Sequence, residues 1–192
     1  MEYLLSIPKN YNGSNKVPVL LFLHGGDRSN TKHHPLKYAR KNNIDFPFLA
    51  IAPKCSSGCS WQDVDFNALL HEVTNNYSVD LNSIYVTGYS MGGYGSWNLL
   101  TRFPEWFAAA APIAGGGKVN NICKAKKLNI RAYHGDADNV VTFKKSAEMI
   151  DALKQCGGKA ELILYPGVGH GSWVKVYQDP KFYKWLLDKK RK

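Results

Sequence analysis

Residues Gly88-Tyr89-Ser90-Met91-Gly92 stand between an apolar run, Ser83-Ile84-Tyr85-Val86-Thr87, and a helix-like stretch from Gly92 to Arg102. A G-x-S-x-G pentapeptide at a strand-to-helix junction forces the serine into a strained turn that lifts its hydroxyl clear of the sheet. Only glycine tolerates the close backbone approach on both sides. Ser90 is therefore the candidate nucleophile, and the segment demands a buried strand before it and a helix after it.

The rest of the chain supplies that setting. Val17-Pro18-Val19-Leu20-Leu21-Phe22-Leu23 is a nearly unbroken apolar run, as expected of a strand buried on both faces of a mainly parallel sheet. Phe48–Ala52, Ile84–Thr87, Ala108–Ile113, Ile130–Tyr133 and Ala160–Tyr165 read as further strands, although the alanine-rich member is also helical on propensity. Helices are expected over Pro35–Lys41, Val64–Asn76, Gly92–Arg102, Thr142–Gln155 and Pro180–Lys189. This alternation predicts one α/β domain over residues 1–192, with helices on both faces of a parallel sheet and functional groups on loops at the carboxyl ends of the strands. The connection from Gly115 to Leu128 is too short for a helical cap, so a site at this edge is expected to be open to bulky substrates.

Composition narrows the class. The 192 residues are 44% hydrophobic and 21% charged, ordinary values for a chain that folds alone. The formal net charge of +10 comes from scattered lysine clusters, at Lys124-Ala125-Lys126-Lys127, Lys144-Lys145 and Asp188–Lys192. These read as solvated helix faces and a frayed terminus, and without a nucleic-acid-binding motif no nucleic-acid partner is expected. No stretch approaches the roughly 18 to 20 apolar residues that cross a bilayer. The first residues lack a basic region followed by an apolar core of signal-peptide length. A soluble chain is expected, with export after removal of a leader left open. Cys55 and Cys59 either close a small disulfide or remain a pair of thiols; they have no second Cys or His pair at zinc-ligand spacing, so no metal is expected.

A serine hydroxyl is a weak nucleophile at neutral pH and needs a base, itself oriented by a third group. In this architecture the partners follow in the order Ser, Asp or Glu, His. Tyr133-His134-Gly135-Asp136-Ala137-Asp138 starts at the end of one expected strand and Tyr165-Pro166-Gly167-Val168-Gly169-His170-Gly171 at the end of the next. His170, surrounded by glycines, is the expected base. Asp138 is the favoured carboxylate, with Asp136 stabilising the turn. His33, His34 and His71 read as solvent-facing or locally packed, and His24 and His134 as rings able simply to hydrogen-bond their loops. The oxyanion hole requires two backbone N–H groups, assigned to Met91 and, in the turn Leu23-His24-Gly25-Gly26-Asp27, to Gly26. Trp61 and Trp173 are the candidate residues of an aromatic pocket wall, while Tyr94 and Trp97 fall on the helix behind the serine.

Together His24-Gly25-Gly26, Gly88–Gly93, His134–Asp138 and Gly167–His170 resemble the α/β-hydrolase superfamily. Within it they are similar to small cap-less esterases, the phospholipase/carboxylesterase, polyhydroxybutyrate-depolymerase-like and feruloyl esterases, and to peptidases of the prolyl-oligopeptidase type. Gly92-Gly93-Tyr94-Gly95-Ser96-Trp97 followed by Arg102-Phe103-Pro104 is similar to that group's helix after the elbow. The resemblance implies a triad of Ser90, Asp138 and His170, the acid falling three residues after the His-Gly pair. It also implies oxyanion donors at Gly26 and Met91, no cofactor, and a small-molecule or polymer-linked ester as substrate. Two departures stand out: the leading antiparallel strands of larger members are short or absent, and the cysteine pair in the Cys55–Trp61 loop has no place in the general pattern.

Overall fold

Strand β2 (Val17–Leu23) divides the core by simple alternation. Val19, Leu21 and Leu23 point into one apolar cluster, Leu20 and Phe22 into another on the opposite face. The computed structural model describes residues 2–191. Met1 and Lys192, the ends of the expected 1–192 domain, lie outside the described residues.

The strands are β1 (Tyr3–Ser6), β2, β3 (Leu49–Pro53), β4 (Val79–Tyr89), β5 (Ala109–Ile113), β6 (Asn129–Gly135) and β7 (Ala160–Tyr165). They form one sheet in the order β1-β3-β2-β4-β5-β6-β7. All neighbours are parallel except β1, which pairs antiparallel with β3 at the edge. Among the described residues the antiparallel element at this edge is the four-residue strand β1. This is the α/β-hydrolase arrangement, with helices on both faces. Helices α2 (Phe66–Asn76), α3 (Met91–Arg102) and α4 (Lys144–Gln155) bury Phe66, Trp97 and Met149 in the first cluster. On the other face α1 (Pro35–Lys41), α5 (Trp173–Gln178) and α6 (Pro180–Leu187) bury Ala39, Tyr177 and Phe182 in the second.

The alanine-rich segment is a strand, not a helix. β5 lies between β4 and β6, hydrogen-bonded on both sides, and this ladder outweighs the helix propensity of alanine. α3 lies close against it, since a Cβ added at Gly93 would run into the Ile113 carbonyl.

The connection after β5 contains one 3-10 turn, Ile122–Ala125, and a disulfide from Cys123 to Cys156 fastens it to the end of α4. A basic cavity of about 470 Å³, lined in part by Lys124, Lys127, Lys190 and Arg191, lies where β5 and β6 begin. Up to Arg191 the carboxyl tail is tied down rather than frayed as expected: Lys190 Nζ lies 2.7 Å from Asp80 Oδ2, and the Arg191 amide donates to the Asn82 carbonyl. Among the described residues no helix is long and apolar enough to cross a membrane.

Candidate active site

The elbow forms at the junction of β4 and α3. Ser90 has φ 53° and ψ −117°, a left-handed conformation that costs a non-glycine residue about 1–3 kcal/mol. The surrounding structure holds it there: the Ser90 amide donates to the Ile113 carbonyl at 3.0 Å. A Cβ at Gly88 would lie 2.5 Å from the Gly92 carbonyl oxygen, and one at Gly92 would collide with the Leu23 carbonyl. Both glycines of the motif are therefore demanded by close backbone approach.

Three loops meet at this edge. His170, in the loop between β7 and α5, places Nε2 2.9 Å from Ser90 Oγ and Nδ1 2.7 Å from Asp138 Oδ2. Because Oδ2 accepts, Nδ1 carries the proton, and Nε2 is free to receive one from the serine. The Asp138 side chain is fully buried, and its Oδ1 accepts from the amides of Val140 and Val141, each at 2.9 Å. Burial alone would raise its pKa, but the His170 bond and the two amides together hold the carboxyl below its ordinary value. Asp136, two residues earlier, is exposed and accepts from the Gly167 amide at 2.7 Å, joining the two loops. The structure therefore brings Ser90, Asp138 and His170 into one hydrogen-bonded line and leaves Asp136 outside it.

The proposed oxyanion donors flank the serine. Met91 is the first residue of α3, where backbone N–H groups lack intrahelical acceptors and the helix dipole favours negative charge. Gly26 follows the end of β2, and Leu23 of that strand pairs with Gly88 of the elbow strand, which sets the two turns side by side. Gly26 is exposed, and the Arg28 amide closes its turn on the Gly25 carbonyl at 3.1 Å.

The aromatic wall differs from expectation at one position. Trp61 is buried: it is 2% exposed, packs near Phe66, and donates its indole N–H to the His24 carbonyl at 3.1 Å. The cause is the Cys55–Cys59 disulfide, which curls the loop, together with hydrogen bonds that fold it onto the first turn. The Cys55 amide donates to His24 Nε2 at 2.9 Å, and the Arg28 guanidinium donates to the carbonyls of Cys55, Ser56 and Cys59. Trp173 does stand by the site, edge-on to His170 with ring centroids 5.4 Å apart and tilted against Tyr89 at 4.4 Å. His33 packs locally, as expected, with Nδ1 2.7 Å from the Tyr38 hydroxyl. Its ring also lies 5.5 Å from both Tyr89 and Trp173.

Comparisons with known proteins point to one family. The dienelactone hydrolase family profile matches residues 52–180, a span that includes Ser90, Asp138 and His170. Probable feruloyl esterase C of Aspergillus niger is 28% identical over 191 residues, covering 91% of this chain and 69% of that protein. The bifunctional acetylxylan esterase/xylanase XynS20E of Neocallimastix patriciarum is 24% identical over 135 residues, so that 67% of this chain matches only 20% of that protein. A crystal structure of a thermostable esterase superposes with a TM-score of 0.86 at 31% identity, covering 98% of this chain and 59% of that one. With the elbow, the order of its partners and the sheet all in agreement, the chain belongs to the dienelactone hydrolase family of α/β-hydrolases.

Proposed function

We propose that the chain is a serine carboxylic ester hydrolase that works through an acyl-enzyme on Ser90. One observation carries the reading: the continuous line from Asp138 Oδ2 through His170 to Ser90 Oγ, with contacts of 2.7 and 2.9 Å. Ser90 Oγ attacks the ester carbonyl carbon while its proton passes to His170 Nε2. Asp138 holds the imidazole in the required tautomer and stabilises the imidazolium that forms. The amides of Gly26 and Met91 receive the oxyanion, each donor being worth on the order of 3 kcal/mol of barrier. Collapse of the tetrahedral intermediate expels the alcohol, which takes the proton from Nε2. Water then repeats the sequence and releases the acid.

Hydrolysis of p-nitrophenyl acetate, together with labelling by a fluorophosphonate, tests this mechanism. Ser90→Ala is expected to lose about 10⁴-fold or more in turnover and all labelling; a variant that behaves like the wild type overturns it.

Short-chain or aryl esters are the first substrate class. A second reading, plant cell-wall esters carrying feruloyl or acetyl groups, is favoured by the Trp173 ring beside His170 and by the names of the relatives. A panel of acetyl, longer acyl and feruloyl esters separates the two through kcat/KM.

A further inference from the structure

His134 is fully buried at the end of β6, four residues before Asp138, and the ester-hydrolysis mechanism above gives it no part. Its Nε2 lies 2.8 Å from the Val141 carbonyl oxygen and 3.2 Å from Asp138 Oδ2. Both neighbours can only accept, so Nε2 carries a proton and shares it between them. On the other side of the ring Nδ1 lies 2.8 Å from Ser146 Oγ of α4, and that hydroxyl in turn lies 2.7 Å from the Gly115 carbonyl. Burial lowers the pKa of His134 more than the Val141 and Asp138 contacts raise it, so the ring is neutral at neutral pH. Nδ1 is then bare, and the single Ser146 hydroxyl proton lies between it and the Gly115 carbonyl, which holds the ring plane from α4.

The consequence falls on Asp138. Its Oδ1 is held by two backbone amides, whereas among the described residues the groups facing Oδ2, the oxygen that orients His170, are His170 Nδ1 at 2.7 Å and His134 Nε2 at 3.2 Å. Without His134 the carboxylate plane would be set at this oxygen by the very imidazole it is meant to orient. We propose that His134 is a positioning residue for the reaction: its Nε2–H, braced by Ser146, fixes Asp138 Oδ2 so that the carboxylate holds His170 against Ser90. The inference rests on the reading of Ser90, Asp138 and His170 given above.

The test is steady-state kinetics on p-nitrophenyl acetate with His134→Leu, which removes the donor at similar volume, and His134→Gln, which can return an N–H to the position of Nε2. A hydrogen bond to a charged group predicts that His134→Leu lowers kcat about 10- to 100-fold with KM changed less than about twofold. His134→Gln is expected to recover most of that loss. The low-field proton resonance of His170 Nδ1–H should broaden or vanish in the leucine variant and return in the glutamine variant.

Turnover in His134→Leu within about twofold of wild type overturns the proposal. So does a glutamine variant as impaired as the leucine variant at equal Tm, because that pattern reports packing alone. If His134→Leu does not fold, Ser146→Ala takes its place: a kcat loss of about threefold or more with unchanged KM supports the bracing role, and wild-type kcat overturns it. Ser90→Ala in the same assay separates the two readings. If it stays active the mechanism itself fails; if it is dead while the His134 and Ser146 variants are unimpaired, only the role of His134 fails.

Discussion

Two His-Gly dipeptides end parallel strands in this molecule, and they are wired to different things. His24-Gly25 follows β2 and His134-Gly135 closes β6, and both rings are fully buried. The His24 ring accepts from the Cys55 amide through Nε2, so its Nδ1 carries the proton and donates to the Gly25 carbonyl at 2.7 Å. His134 is protonated instead on Nε2, toward Asp138. The same side chain in the same local setting thus takes opposite tautomers. One secures the glycine turn beside the nucleophile to a disulfide loop; the other faces the carboxylate that orients the base. A buried histidine reports its function through what each ring nitrogen meets, not through the dipeptide it sits in.

The largest expected effect tests the second turn. Asp138→Asn keeps the shape but takes an acceptor from His170, and the wrong imidazole tautomer should lower kcat about 10⁴-fold. Turnover within tenfold of wild type would remove the functional contrast between the turns.

Acid lability tests what the buried rings share. Burial pulls His24 and His134 below the ordinary value of 6.5, and neighbouring His34, whose Nδ1 caps α1 by accepting from the Leu36 amide, is pushed down to about 4. Each ring is neutral in the fold, so the unfolded chain binds more protons once the pH drops below 6.5. The stability from His34 is whole above pH 6.5 and drains away as the pH falls to about 4, a loss of about 3 kcal/mol. His34→Asn, which keeps a capping acceptor but does not titrate, should lose correspondingly less stability over that window in urea titrations. An identical acid profile would refute the assignment.

His24→Leu sharpens the comparison from the structural side. It strands the buried Cys55 amide, at a cost of about 2 kcal/mol. For a chain of this size that lowers Tm by about 6 °C, while kcat falls less than in His134→Leu. A kcat loss larger than that of His134→Leu, at equal Tm, would invert the roles of the two turns. The smallest effect belongs to Asp136→Asn. Among the described residues the exposed carboxylate bonds only the Gly167 amide, so kcat should stay within about twofold and stability within about 1 kcal/mol. Loss on the scale of Asp138→Asn would mean that the two carboxylates had been assigned the wrong way round.

Much of this was legible in the chain. β2 spans the expected residues because an unbroken apolar run is what a strand covered on both faces requires, and α1 matches because Pro35 sets a first turn. α5 went unseen: six residues directly after the His170 loop are too few to display a helical period. Thr142 and Phe143 lie before α4 and Val64 before α2, and α6 stops at Leu187, the ordinary uncertainty of helix ends. Trp61 was misplaced because a polar loop sequence does not reveal that a disulfide and the Arg28 guanidinium will fold it inward. The Cys123–Cys156 bridge links positions 33 residues apart, which no local pattern connects.

The sequence by itself determined the elbow, the order of nucleophile, acid and base, and the strand after which each would stand, because these depend on local backbone demands and on an apolar pattern that repeats along the chain. Only the tertiary structure decided which nitrogen of each buried histidine carries the proton, that Trp173 and not Trp61 stands against His170, and that His134 reaches Asp138 Oδ2. Those outcomes rest on donors and acceptors from β2, β6, α4 and the disulfide loop arriving within about 3 Å of one another. Such distances exist only once the sheet has brought its strand ends together.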